Sequence, residues 1–452
     1  MNTSHTSRAA RLSALAGALL LAGVCGLPAA SADPDTEPVA AQLGSADTFY
    51  DPPAGYESSR PGTILASRAV RANVLPQLPF AVRAWQLLYR TTDADGSPYA
   101  AVTTVLIPDG QVRSRPLLSV QAAYDSIQRS CMPSYQLTAD DPAAPPPAEA
   151  LQAVTALDRG WAVAIPDPGG VDNRFLTPRV MGYTVLDGIR AAANFEPLGL
   201  DGAATRTALT GYSGGGVGTS WAAEMQPSYA PELNIVGAAL GAPVPDLAAA
   251  MHSVSGRVSG GLIPVGIAAL MNDSPEFSAA LDPYLKPGAR AILAAAGRDC
   301  VSTTVARNLF LTNSDLVTVP LDQVLADPVI QAVIAERKRG TATPTTPLYV
   351  VNAVHDEVSP IQSVDDLVAT YCAGGASVTY VRDAMPDLIS NHNIEAVTSV
   401  SDIFAWLDQV MAGQVPNPGC HTTTVASTLD TGSWVTQLPR FVQGLARALL
   451  GQ

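Results

Sequence analysis

Basic residues are scarce in this chain. Its 26 Lys and Arg face 40 Asp and Glu, for a formal net charge of -14. Nucleic acid and anionic lipid headgroups reward clustered Lys and Arg, so this balance argues against both as partners. The one basic run, Glu336-Arg337-Lys338-Arg339-Gly340, reads as a solvated helix end. Charge of either sign is sparse, at 15% of residues against 47% apolar. That excludes intrinsic disorder, which requires low hydrophobicity and high charge. Beyond the N-terminal segment no apolar run approaches the roughly 20 residues that span a bilayer. No internal repeat is present, which argues against propellers and solenoids. Cysteine is rare, with 5 in 452 residues, and none forms a Cys-x-x-Cys pair, so metal ligation finds little support.

Residues 1–32 read as a secretory signal peptide. Arg8 and Arg11 precede a short apolar run over residues 12–25, and Ala30-Ser31-Ala32 forms a small-residue cleavage signal before Asp33. Cleavage near Ala32 leaves a soluble, secreted, extracellular chain. Cys25 invites a lipidation reading, but Val24 is bulky where a small residue is expected. Four cysteines remain: Cys131, Cys300, Cys372 and Cys420. An even count in an oxidising compartment suggests two disulfides, and by spacing alone all three connectivities stay open.

Residues 33–60, rich in Pro, Asp and Ala, read as an extended arm. Residues 85–90 and 101–107 are β-like around an Asp-Ala-Asp-Gly turn, as in a hairpin. Residues 116–121, 161–166, 207–210 and 235–240 have the near-continuous apolar character of buried parallel strands. Helical patterns intervene at residues 148–158, 183–195 and after the glycines near 214, and residues 138–150 form a Pro/Ala-rich surface loop. Such alternation argues for an α/β fold with a mostly parallel sheet. Over residues 245–342 the pattern becomes helical, with 288–296 and 321–339 as its clear stretches. A linker-like run at 340–347 closes it. Strands at 348–351 and 378–381 and helices at 364–371 and 394–411 resume the rhythm. The expected organisation is a body over 33–244 and 343–412, a helical insertion over 245–342 and a tail over 413–452.

Gly211-Tyr212-Ser213-Gly214-Gly215 is a G-x-S-x-G set between an apolar strand and a helical pattern. A serine on so tight a turn takes unusual backbone angles, and its glycine neighbours remove Cβ atoms that would strike the adjoining strand and helix. Its Oγ stands above the sheet edge, and the Gly214 N–H lies at a helix start where an oxyanion can form. A glycine-rich structural turn is the plainer alternative. A serine nucleophile needs a base, and His252, His355, His392 and His421 are the histidines of the mature chain. His392, in a loop after the last body strand, falls at the same carboxyl edge as Ser213. The base needs an orienting carboxylate. Asp356 follows the strand at 348–351, with the adjacent Glu357 as rival. The order Ser213, Asp356, His392 is that of α/β-hydrolases. A second oxyanion donor belongs after an early strand, where the backbone N–H of Asp125 is the candidate and a simple turn residue the alternative.

Seven segments occur together and in order: residues 49–53 (FYDPP), 121–135 (QAAYDSIQRSCMPSY), 160–168 (GWAVAIPDP), 185–192 (VLDGIRAA), 211–216 (GYSGGG), 352–360 (NAVHDEVSP) and 391–396 (NHNIEA). Over residues 47–425 the chain resembles the secretory lipase family. The resemblance implies an α/β-hydrolase fold with a helical cap near residues 245–342. It implies a triacylglycerol-lipase type of ester hydrolase, with nucleophile, acid and base at Ser213, Asp356 and His392 and oxyanion donors at Asp125 and Gly214. It implies disulfides Cys131–Cys300, tying body to cap, and Cys372–Cys420. A lipid or other acyl-ester substrate follows, with transient contact to lipid interfaces through the cap, no stable protein partner, no cofactor and no metal. Ser359 departs from the pattern, standing where an apolar residue is expected before Pro360. The rival functions are a short-chain esterase or acyltransferase of the same fold, a serine peptidase, and a non-catalytic surface protein.

Overall fold

The structure, a computed structural model, describes residues 47–450 apart from residues 76–77, 81, 109, 111–113 and 140–144. The expected signal peptide, its cleavage point and the first part of the arm lie outside the described residues. Among those described, ten strands form one sheet: β1 (Ile64–Val70), β4 (Arg83–Thr92), β5 (Pro98–Ile107), β6 (Leu117–Gln121), β7 (Ala162–Pro166), β8 (Thr207–Tyr212), β9 (Ile235–Gly241), β10 (Leu348–Ala353), β11 (Val378–Asp383) and β12 (Cys420–Val425). Two short strands, β2 (Asn73–Leu75) and β3 (Leu78–Pro79), pair apart from it. β1, β4, β5 and β7 pair antiparallel. The run β7-β6-β8-β9-β10-β11-β12 is parallel throughout.

Of the parallel strands, β6 to β10 are buried on both faces, which is why their sequences are largely apolar without strict alternation. The period of two still sorts their side chains. Leu348 and Val350 join one apolar layer with the helices Val180–Asn194 and Ile361–Ala373. Tyr349 and Val351 join the opposite layer with the helices Ala150–Asp158 and Val400–Met411. Eight short helices, from Leu247–Ser253 to Pro328–Ala335, lie between β9 and β10 and bury an apolar cluster of their own. A disulfide from Cys131 to Cys300 ties this segment to the loop after β6, and a second joins Cys372 to Cys420.

Four expectations change. The basic run is not solvated: Arg337 and Arg339 are each 3% exposed. Asp273 supplies a buried counter-charge to Arg337, and Arg339 donates to Val244 O, closing the two roots of the helical segment on each other. The stretch 321–339 is not one helix, because Asp327 caps a new one at Pro328. Residues 47–60 are not a loose arm: Tyr50 is buried and its hydroxyl lies 2.8 Å from Ser134 Oγ. Residues 413–452 are not a tail. β12 adds to β11 in parallel register, and the helix Ser433–Leu450 packs on Ala150–Asp158. There Arg159 is held between Asp408, at 2.6 Å, and Gln437.

Candidate active site

β8 ends at Tyr212 and the helix Gly214–Tyr229 begins two residues later. Ser213 occupies the corner with φ 55° and ψ -122°, a conformation that costs an L-residue strain. Its amide donates to Gly241 O at 2.9 Å, pinning the corner to β9. Close approach dictates the glycines. A Cβ on Gly215 would lie 2.0 Å from Gln121 O, and one on Gly214 would lie 1.8 Å from Asp125 Oδ1. Gly211 is equally confined, with Gly215 O at 2.3 Å from a would-be Cβ. The Tyr212 hydroxyl donates to His392 O at 2.7 Å, so the elbow also braces the histidine.

Asp356 lies in the loop between β10 and the helix Ile361–Ala373. Its Oδ1 accepts the amides of Val358 and Ser359, each at 2.7 Å. Ser359 also accepts the Val244 amide on its Oγ at 3.1 Å, so this polar substitution fastens the loop to the one after β9. His392 is in the first turn of the helix Asn391–Thr398 rather than in a loop. Ser390 caps that helix. The rival acid Glu357 serves its N-terminus, accepting from Ser390 Oγ at 2.5 Å and from the His392 amide at 3.2 Å. A carboxylate there also complements the helix dipole.

These loops converge. His392 Nδ1 lies 2.9 Å from Asp356 Oδ2, and its Nε2 lies 2.8 Å from Ser213 Oγ. All three residues are at most 8% exposed. With a carboxylate on Nδ1, the proton is assigned to Nδ1, and Nε2 is free to accept from the serine hydroxyl. Burial alone pulls the imidazole pKa down. The Asp356 charge and hydrogen bond outweigh it, and the net shift is upward. Asp125 completes the cluster from the loop after β6. Its φ of 32° is strained, its Oδ1 is buried without a partner, and burial pushes its pKa up to about 6. The other histidines lie elsewhere: His252 pairs with Asp322, His355 is exposed, and His421 sits by Pro418 O.

Glu395 escapes sequence reasoning. It is buried one helical turn after His392 and accepts the Ala353 amide at 2.7 Å. Burial beside Asp356 and Asp383 pushes its pKa well up. Its i+3 spacing from His392 was a signal, but the same spacing fits an ordinary surface glutamate. Among the described residues no three His, Cys, Asp or Glu side chains gather as a metal site. Two cavities open on Ser213, one of about 550 Å³ and one of about 80 Å³.

The secretory lipase family matches residues 146–419. A probable inactive lipase of Mycobacterium tuberculosis is 39% identical over 82% of this chain and 83% of its own length. Lipase A of Arthroderma benhamiae is 36% identical over 85% of this chain and 83% of its own. The closed state of Candida antarctica lipase A superposes with a TM-score of 0.76 at 25% identity, covering 88% of this chain and 94% of that one. The sheet, the elbow and these similarities agree: this chain belongs to the secretory lipase family, on an α/β-hydrolase fold.

Proposed function

We propose that the chain is a secreted serine carboxylic-ester hydrolase acting on lipophilic esters, acylglycerols among them. One observation carries this reading: the unbroken hydrogen-bonded line from Ser213 Oγ through His392 to Asp356. Ser213 attacks the ester carbonyl while His392 Nε2 takes its proton. His392 then returns that proton to the leaving alkoxide, and water releases the acid in a second, mirrored pass. Asp356 holds the tautomer and stabilises the imidazolium. The Gly214 N–H, with the Asp125 N–H, receives the oxyanion, each donor worth about 3 kcal/mol of barrier. The two disulfides support export to an oxidising compartment.

Hydrolysis of p-nitrophenyl esters from acetate to palmitate, beside Ser213→Ala, tests the reading. Turnover and labelling by a fluorophosphonate that both vanish in the variant are the expected result. A folded protein with neither would favour the non-catalytic reading, to which the inactive mycobacterial relative lends weight.

A further inference from the structure

The two cavities at Ser213 differ in size and in which catalytic group they touch. Ser213 and Asp125 line both. His392 lines only the wide one, and Gly214 only the narrow one. Chemistry then orients the substrate. His392 Nε2 must hand its proton to the leaving alkoxide, so the alcohol lies on the His392 side. The acyl chain, bonded to the carbon that Ser213 attacks, extends the other way. The wide cavity therefore receives the alcohol and the narrow one the acyl group.

Volume sets what each can hold. At ~10–15 Å³ of accessible space per water-sized group, the narrow cavity of about 80 Å³ takes about five to eight such groups. The wide cavity, at about 550 Å³, falls in the range that encloses whole small-molecule ligands. Its wall is mostly apolar, with Val305, Val397, Phe404 and Phe441. Gln152 interrupts it: this residue is 7% exposed and its Oε1 has no hydrogen-bond partner. Buried acceptors are ordinarily satisfied, so this one calls for a donor from the occupant. At the narrow end Met251 lines both the acyl cavity and a further apolar void of about 20 Å³ inside the helical segment. Met251 is thus the wall between them.

Resting on Ser213 as nucleophile, we propose that the preferred substrate joins a short acyl group to a bulky, mostly apolar alcohol with a second hydroxyl. Met251 limits the acyl length, and Gln152 receives the hydroxyl.

The test uses the full mature protein and three esters: ethyl butyrate, ethyl palmitate and estradiol butyrate, the last also with its free hydroxyl methylated. The expected order of kcat/KM is estradiol butyrate, ethyl butyrate, ethyl palmitate, with first and last more than about tenfold apart. Met251→Ala raises the palmitate-to-butyrate ratio, and Gln152→Leu narrows the gap between the free and methylated steroid esters. Ethyl palmitate as the best substrate, or estradiol butyrate poorer than ethyl butyrate, overturns the proposal. Unmoved ratios in the two variants overturn the roles of Met251 and Gln152. A folded protein labelled by fluorophosphonate but inactive on all three esters overturns the substrate class alone. Absence of labelling overturns the nucleophile as well.

Discussion

Asp356→Asn separates orientation from packing at this site. The carboxylate makes two kinds of contact. Its Oδ1 accepts the Val358 and Ser359 amides, and both oxygens face His392 Nδ1, Oδ1 at 3.0 Å and Oδ2 at 2.9 Å. An asparagine keeps the first by placing its carbonyl oxygen at Oδ1. Its amide nitrogen then points at Nδ1 as a donor. Two N–H donors repel at 2.9 Å, so the imidazole turns acceptor there and its proton moves to Nε2, against Ser213 Oγ. The base is then blocked by its own proton. A wrong tautomer costs about 10⁴ in rate, or ~5.5 kcal/mol of barrier. Stability should fall only ~1–2 kcal/mol, since the loop keeps its amide contacts and loses charge assistance. Glu357→Gln should behave oppositely. Glu357 touches Ser259 Oγ, Ser390 Oγ and the His392 amide, but not the imidazole ring. Its loss lowers the melting temperature while kcat/KM stays within about tenfold. The assay pairs p-nitrophenyl butyrate turnover with thermal unfolding. An active Asp356→Asn beside an inactive Glu357→Gln would refute the reasoning.

As the proposed base His392 acts only when neutral, and its pKa is raised, so the acid limb of kcat/KM should have its midpoint above the ordinary imidazole value of ~6.5; a midpoint below that value would contradict the Asp356 coupling. Breaking Cys131–Cys300, which spans 169 residues, by a double serine substitution should destabilise by up to ~5 kcal/mol on the chain-entropy account, read as a lower denaturation midpoint. An unchanged midpoint would show that the cross-link does not constrain the unfolded chain. Gly215→Ala drives a Cβ into Gln121 O, a backbone atom that cannot yield without moving β6 and the Asp125 loop. Activity should fall more than about tenfold with ~1–3 kcal/mol of stability lost, and a variant equal to the parent would mean that β6 and the elbow can part without cost.

The sequence by itself determined the parallel sheet and the candidate nucleophile. A strand buried on both faces must be largely apolar, so β6, β7, β8, β9 and β10 announce themselves. An elbow with backbone carbonyls at a Cβ's distance admits only glycine, so Gly211 and Gly215 mark Ser213. It narrowed the candidate base and acid to the carboxyl edge, because loops after parallel strands share that edge. Tertiary structure decided the rest. Glu357 and Asp356 are adjacent and chemically alike, and only the placement of the Ser390 cap shows that one holds the helix and the other the ring. Arg337 and Arg339 look solvated in a basic run, and become buried because Asp273 and the Val244 carbonyl, distant in sequence, arrive to pair with them. β12 is too polar to read as a strand, since it is an exposed edge stabilised by backbone pairing with β11 and by Cys372. Cavity shape is likewise invisible along the chain. It is the space left between helices whose packing partners lie hundreds of residues apart, and local pattern carries no record of that distance.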